Sequence, residues 1–359
     1  MPLSEVASRI SVKAANLIEA GRLTPAQAEK FAKLVNVPFG FLFFSTPPKE
    51  RPIPIADFRS VQDSEPLGKD FLDVYDDVVF KQSWYRDYQI AESVSKLPFV
   101  GKYSGKNVKP KEFANDIRKT LNLSEERLRS VSTSDEAYAL LASCAESVGI
   151  LVFKNGVVGN NTRRPLSVSQ FRGFAISDAI APAVFVNGAD AKAAWQFTLA
   201  HELAHIWLGD TGISRAHPSA DNKSEVLCNA VAAEFLVPME SFDKQWEQSA
   251  SFGASVAIEQ LRKYFKVSAL VIARRALDRG FITFHQYNEV YKQARNAKSA
   301  KGGGDFYRTL GARNGKRFST MVAELAYSGE IGLREASRLL NTTPTNVMNL
   351  YERQKALPN

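Results

Sequence analysis

Apolar residues recur at helical spacing over most of the chain and form strand-like runs in only a few places. This pattern predicts an α+β protein that is predominantly helical, with a small sheet. From Ser4 to Leu34 the spacing fits two or three short helices, with a break at Ala20-Gly21-Arg22 and a restart where Thr24 caps and Pro25 opens the next helix. Ser45 to Asp57 carries four prolines in thirteen residues and predicts an extended linker. Acids and aromatics alternate over 69–97 (Phe71, Tyr75, Phe80, Trp84, Tyr85, Tyr88), which predicts one long amphipathic helix packed on the core beneath a solvated acidic face.

Helices are expected near 110–121 and 134–148, then short apolar strands at Gly149–Phe153 and Ala183–Val186. Trp195–Leu208 and Lys223–Leu236 read as helices, the second stopping at Pro238. Residues 255–280 read as two short helices, followed by a small turn or wing at Gly280–Thr283. The three glycines of 298–304 predict a flexible joint, and an Arg-rich helical unit closes the chain.

The 359 residues hold 46 basic and 38 acidic side chains, a net charge of +8. The surplus is local: residues 1–240 hold 27 basic and 28 acidic residues, and 241–359 hold 19 and 10. Lys292 to Arg317 alone has eight basic residues and one acid, so Arg308, Arg313, Lys316 and Arg317 are candidates for contacting nucleic acid or an acidic protein partner. Two cysteines, Cys144 and Cys228, give no disulfide framework. With no secretory signal and no membrane-spanning run, a cytoplasmic protein is expected.

One motif specifies chemistry. His201-Glu202-Leu203-Ala204-His205 takes two of the four histidines in the chain and places them four apart on a helix. Imidazoles so spaced share a face and can grip one Zn²⁺, with Glu202 beside them as a general base. The flanking helix is strongly apolar, so these polar groups need the compensation that a metal supplies. Candidates for a third ligand are Asp210, His217, Asp221, Glu225, Cys228 and Glu234. Glu225 is preferred because it opens a helix on which Asn229, four residues on, can hold a ligating imidazole. For the oxyanion of a hydrolytic reaction, Arg172, Asn160 and Asn161 are candidates, and the strand Ala183–Asn187 could align an extended substrate.

Arg172-Gly173-Phe174, Ala181–Asn187, Phe197–His205 and the run from Glu225 through Cys228-Asn229 to Pro238 together resemble the ImmA/IrrE family of bacterial zinc metallopeptidases. The resemblance implies a zincin-like domain in which His201, His205 and Glu225 hold zinc and Glu202 is catalytic. Where the family usually has Ala, this chain has Cys228, which raises the possibility of a redox-sensitive site. Ser4–Phe44 resembles the Xre/Cro-type helix-turn-helix that precedes this domain in one branch, and 302–318 resembles the tail of that branch. The N-terminal stretch is short for such a unit, so its first helix and part of its second are expected to be missing. Its reader segment, Val12–Glu19, offers Lys13 and Asn16 to base edges.

The organisation implied is a partial Xre-type unit (1–47), a proline-rich linker (48–68), a helical region (69–125), the zinc peptidase domain with a helical extension (126–297), the glycine-rich joint (298–304) and a basic helical C-terminal unit (305–359). Two functions are compatible with the resemblance. One is a regulatory zinc-dependent endopeptidase that cleaves an Xre-type repressor in a mobile-element, stress or toxin–antitoxin setting. The other is an antitoxin and transcriptional autoregulator that binds DNA and neutralises a small PIN-type ribonuclease toxin, its zinc site structural.

Overall fold

The structure is a computed structural model; residues 2–35, 37–46, 66–214, 223–296 and 306–355 are described. Most of the expected linker and the whole of the joint at 298–304 lie outside the described residues. The chain divides into two compact units, Met1–Pro54 and Ile55–Asn359.

The N-terminal unit holds α1 (Leu3–Ile10), α2 (Ala15–Glu19) and α3 (Pro25–Val35), packed through Val6, Ala7, Ile18 and Ala32. Thr24 and Gln27 exchange bonds across the start of α3, a capping box that begins the helix at Pro25. The segment expected to read bases is not one continuous helix. It is a 3₁₀ turn at Val12–Ala14 followed by the five-residue α2, with Lys13 and Asn16 exposed.

The second unit is built on a four-stranded sheet of order β1-β5-β4-β6: β1 (Leu151–Asn155), β4 (Gly173–Ile176), β5 (Ala183–Asn187) and β6 (Gly212–Ser214). β1 runs parallel to β5, while the β4–β5 and β4–β6 pairs are antiparallel. A separate hairpin joins β2 (Val157–Val158) and β3 (Asn161–Pro165). Every residue of β5 is buried, as its uninterrupted apolar run requires of a central strand.

The long helix α4 (Lys69–Ala91) covers part of this sheet with Phe71, whose ring meets Phe171 at 5.0 Å and Phe174 at 5.9 Å. α5 (Pro110–Thr120), α6 (Glu125–Arg129) and α7 (Ser134–Ser147) follow, the last two capped by the Ser124 and Thr133 hydroxyls. α8 (Lys192–Leu208) ends at Gly209, whose left-handed φ of 79° no β-branched residue would hold cheaply. α9 (Lys223–Leu236) packs beside it, and Arg118 of α5 closes the C-terminus of α9 by donating to the Glu234 carbonyl at 2.9 Å.

α9 stops before Pro238 as expected, and Pro238 in turn caps α10 (Met239–Ser249), since its missing N–H costs nothing at a helix start. α11 (Ala254–Phe265) and α12 (Ala269–Asp278) follow. Gly280–Thr283 is a turn rather than a wing: Phe281 stacks on Trp246 at 5.4 Å, and Thr283 and Gln286 form a capping box that starts α13 (Phe284–Asn296).

α14 (Phe306–Asn314), α15 (Lys316–Ser328), α16 (Leu333–Leu339) and α17 (Pro344–Lys355) do not form a separate body. The Trp84 indole of α4 donates to Glu335 at 2.7 Å, and Arg338 lies over Phe80 at 4.3 Å. The acidic face of α4 is therefore not simply solvated: Asp73 holds Arg164 at 2.6 Å and Asp77 holds Lys81 at 2.6 Å. The basic run is likewise partly committed within the unit, since Arg317 donates to the Glu146 carbonyl at 2.6 Å and Arg313 to Asn160. Among the described residues, no helix is long and apolar enough to cross a membrane.

α15 docks on α7 through one carboxylate. Glu146 is buried beside Gly315, where a Cβ would sit 2.6 Å from Glu146 Oε1, and it faces the backbone N–H groups that open α15. Burial pushes Glu146 up to about 7, outweighing the N–H bonds and positive charges of Arg317 and Lys316 that pull it down. Between an ordinary carboxylate value near 4.5 and about 7, the folded chain holds a proton that the unfolded chain has lost, so stability falls as pH rises through this window. Thermal melts should show Glu146→Gln gaining stability relative to wild type from pH 5 to pH 8. A difference between the two that does not vary with pH would contradict the assignment.

Candidate metal centre

α8 presents His201 and His205 one turn apart, and the chain returns through β6 to bring the first turn of α9, with Glu225, against them. The approach is fixed locally: Asp210 accepts a bond from the Ser224 hydroxyl at 2.9 Å, tying the end of α8 to the start of α9. The result is a tight triad of donors. His201 Nε2 and His205 Nε2 are 3.0 Å apart, and Glu225 oxygens lie 3.3 Å from the first and 3.0 Å from the second.

Two donors bound tetrahedrally to Zn²⁺ at 2.0–2.1 Å sit about 3.3 Å from each other, close to all three separations. Neutral imidazole nitrogen and carboxylate oxygen are also the donors zinc prefers in sites that keep a position open. His201, His205 and Glu225 are all buried, and they are the one group of metal-ligand type that comes together among the described residues. Asn229 Oδ1 lies 3.1 Å from His201 Nδ1, placed to accept its proton and leave the Nε2 lone pair for a metal. The Nδ1 of His205 has no such partner among the described residues, so Asn229 alone fixes an imidazole through its far nitrogen.

The electrostatics fit a cation. Burial pushes the His201 pKa down, more strongly than its bonds to Glu225 and Asn229 raise it, so the ring is held as the neutral ligand form. Burial alone would raise Glu225, but its hydrogen bonds to His201 and His205 overcome it and hold this carboxyl at about 2. Cys228 is fully buried, and burial, together with the carboxylates of Glu225, Glu202 and Asp210, raises its thiol well above the ordinary value. Such a thiol is poorly suited to redox sensing.

Glu202 is completely buried, between the two histidines in sequence and against the sheet in space. The residue that makes room for it, given no role in the sequence reading, is Gly173 of β4. A Cβ there would lie 2.6 Å from Glu202 Oε1 and 2.8 Å from both the Phe185 carbonyl and Thr198 Cγ2. The only signal in the sequence was its place between Arg172 and Phe174, in the run that carried the family resemblance.

The remaining candidates go elsewhere. Glu234 pairs with Arg275 at 2.8 Å in the core, Asp210 serves Ser224, and His217 and Asp221 lie outside the described residues. Arg172 faces Asp190 at 3.5 Å, Asn161 accepts the Arg163 N–H at 3.0 Å, and Asn160 bonds the Asn341 carbonyl. These contacts tie Asn160 and Asn161 to local structure. The strand Ala183–Asn187 cannot align a substrate by strand addition, because β5 has β1 on one side and β4 on the other. Arg308 lies on α14 and Lys316 is exposed at the start of α15, while Arg313 and Arg317 make the internal contacts described above.

Residues 145–277 match the family model of the IrrE N-terminal-like domain, of peptidase family M78. Residues 314–353 match a model described as a domain of unknown function. A comparison with curated proteins returns no match. The first span contains all three donors together with Glu202, Asn229 and Gly173; neither span reaches the N-terminal unit.

Removing one donor should empty the site, so Glu225→Ala should purify without stoichiometric zinc by elemental analysis. Asn229→Ala should keep the three ligands and lose about 10–100-fold in zinc affinity in a chelator competition. Full zinc content in Glu225→Ala would remove Glu225 from the ligand set.

Proposed function

We propose that this protein is a zinc-dependent endopeptidase with a regulatory role, acting on a protein partner of the Xre-repressor type. The observation that carries the reading is the convergence of His201, His205 and Glu225 within about 3 Å of one another, with Glu202 on the helix that carries the two histidines. The match of residues 145–277 to a peptidase family supports it.

His201, His205 and Glu225 would hold the metal. When bound, zinc acts as a Lewis acid that polarises a peptide carbonyl and makes water acidic enough to attack near neutral pH. Glu202 takes a proton from the attacking water on its carboxylate and returns it to the leaving amine. Gly173 keeps Glu202 in place, since any side chain there would collide with Oε1. Asn229 fixes the His201 ring so that its Nε2 faces the ligand position. An extended substrate would add to β6, whose outer edge has no strand partner among the described residues and whose other edge pairs with the strand bearing Gly173.

One observation favours a non-catalytic antitoxin with a structural metal. His201 is 4% exposed and Glu202 0%, so a polypeptide reaches this site only if the surrounding chain opens.

The two readings separate on Glu202→Gln. For a peptidase, the variant should retain zinc, lose cleavage by at least a factor of about 100, and hold its uncut substrate in a pull-down from the native host. Gly173→Ala should also keep zinc while lowering kcat, because it displaces the base and not the ligands. A zinc-loaded wild type that cuts no captured partner, with a small nuclease as the partner retained, would overturn the peptidase reading.

A further inference from the structure

The buried positions of the last three helices hold a turn between two of them. Ala336 and Leu339 are buried on α16, Leu340 just after it, Val347 and Leu350 on α17, and Val322 and Leu325 on α15, which packs on both. α16 has seven residues and α17 twelve, joined by residues 340–343. Asn341 sits in that turn with a φ of 50°, a left-handed conformation that asparagine tolerates better than most residues. Thr343 then caps α17 by accepting the Asn346 N–H at 3.3 Å, and Pro344 opens the helix. A short helix, a turn of about four residues and a second helix make the helix-turn-helix arrangement. It lies outside the peptidase-family match and within the match to a domain of unknown function.

Helical pitch divides α17 into three sides. Val347 and Leu350 face inward. Asn346, Asn349 and Arg353 meet Tyr307 of α14: the phenol donates to Asn346 at 3.4 Å and accepts from Asn349 at 3.0 Å, and the Arg353 guanidinium lies over the ring at 4.1 Å. Thr345, Met348, Glu352 and Lys355 make the third side, with Met348 half-buried and the other three exposed. α16 docks on α4 through Glu335 and Arg338 and leaves Arg334 exposed at its start. Asn160, at the tip of the β2–β3 hairpin, donates to the Asn341 carbonyl, so a hairpin with an exposed Arg163 adjoins the turn.

The charge of this region selects the partner. Residues 306–355 carry eight basic and four acidic side chains. Arg163, Lys316, Arg334 and Lys355 are exposed, with no carboxylate in ion-pair distance among the described residues. Cations placed in this way suit a phosphate backbone or an acidic protein surface. Glu352, in the middle of the open side of α17, decides between them. It would repel an acidic protein, whereas in a major groove a carboxylate accepts from the cytosine amino group. Thr345 can bond either type of base edge, and Met348 offers an apolar contact for a thymine methyl.

We propose that α16 and α17 form a helix-turn-helix that binds duplex DNA. α17 lies in the major groove with Thr345, Met348 and Glu352 toward the base edges, while Arg334 and Lys355 hold phosphates on either side. DNA binding then belongs to the C-terminal helices and is independent of both the zinc chemistry and the N-terminal unit.

The test is selection of a randomised duplex pool on the full-length protein, followed by fluorescence anisotropy with the enriched duplex and a scrambled one. A recurrent sequence is expected. Thr345→Ala and Glu352→Ala should each lower the preference for the enriched over the scrambled duplex by about 5- to 100-fold. Arg334→Gln should instead weaken both duplexes alike and reduce the salt slope by about one. All three side chains are exposed, so these variants keep the fold. Absence of any enriched sequence, or competition by polyglutamate as strong as by the enriched duplex, overturns the proposal. So does a preference unchanged in both Thr345→Ala and Glu352→Ala but lost in Lys13→Gln, which would place DNA binding in the N-terminal unit.

Discussion

The structure turns on a cost that the chain accepts at one place: two imidazoles and two carboxylates sealed into an apolar interior. His201, Glu202, His205 and Glu225 are each no more than 4% exposed. Buried polar groups of this kind are costly unless something matches them. Here the match is partly internal, because Glu225 bonds both rings and Asn229 bonds one. A divalent cation would complete it, since both Nε2 atoms and the Glu225 carboxylate converge on one small volume. The surrounding architecture serves that convergence. α8 supplies the spacing, Arg118 closes the end of α9, and β4 leaves a gap at Gly173 into which Glu202 fits.

A second, weaker constraint holds the outer helices. α4 is clasped between the sheet and α14–α17 by apolar and polar contacts together: the buried Phe318 ring meets Trp84 and Tyr85, while Lys81 bonds Asn314 and Trp84 bonds Glu335. The polar contacts of this seam respond to pH and to ions more than its apolar ones do. Part of what fastens the C-terminal helices to the body that carries the candidate metal site therefore changes with solution conditions, and part, around Phe318, does not.

What could be read from the sequence follows from the range of the interactions. The pattern His201-Glu202-x-x-His205 is local, so its geometry follows from helical pitch alone. Glu225 was accessible because helical spacing links it to Asn229 and the resemblance supplied its role. Gly173 carried no readable role, because its significance is the approach of Glu202 from another element. The same limit applies to the central position of β5: a run such as Ala183–Asn187 reads as a buried strand, but strand order is set by pairings across the chain. The basic stretch from Lys292 to Arg317 reads as a surface for nucleic acid or an acidic partner, but composition does not reveal which of its residues already have contacts. Arg317 is in fact spent on a helix end, and Arg313 lines a cleft.

The account rests on three side chains sharing one metal, and X-ray absorption at the zinc edge of the zinc-loaded, full-length protein tests that most directly. The prediction is a sulfur-free shell of nitrogen and oxygen at about 2.0–2.1 Å with outer scattering from two imidazoles. A sulfur scatterer at about 2.3 Å, which would place Cys228 or Cys144 on the metal, or a shell with no imidazole signature, would contradict it.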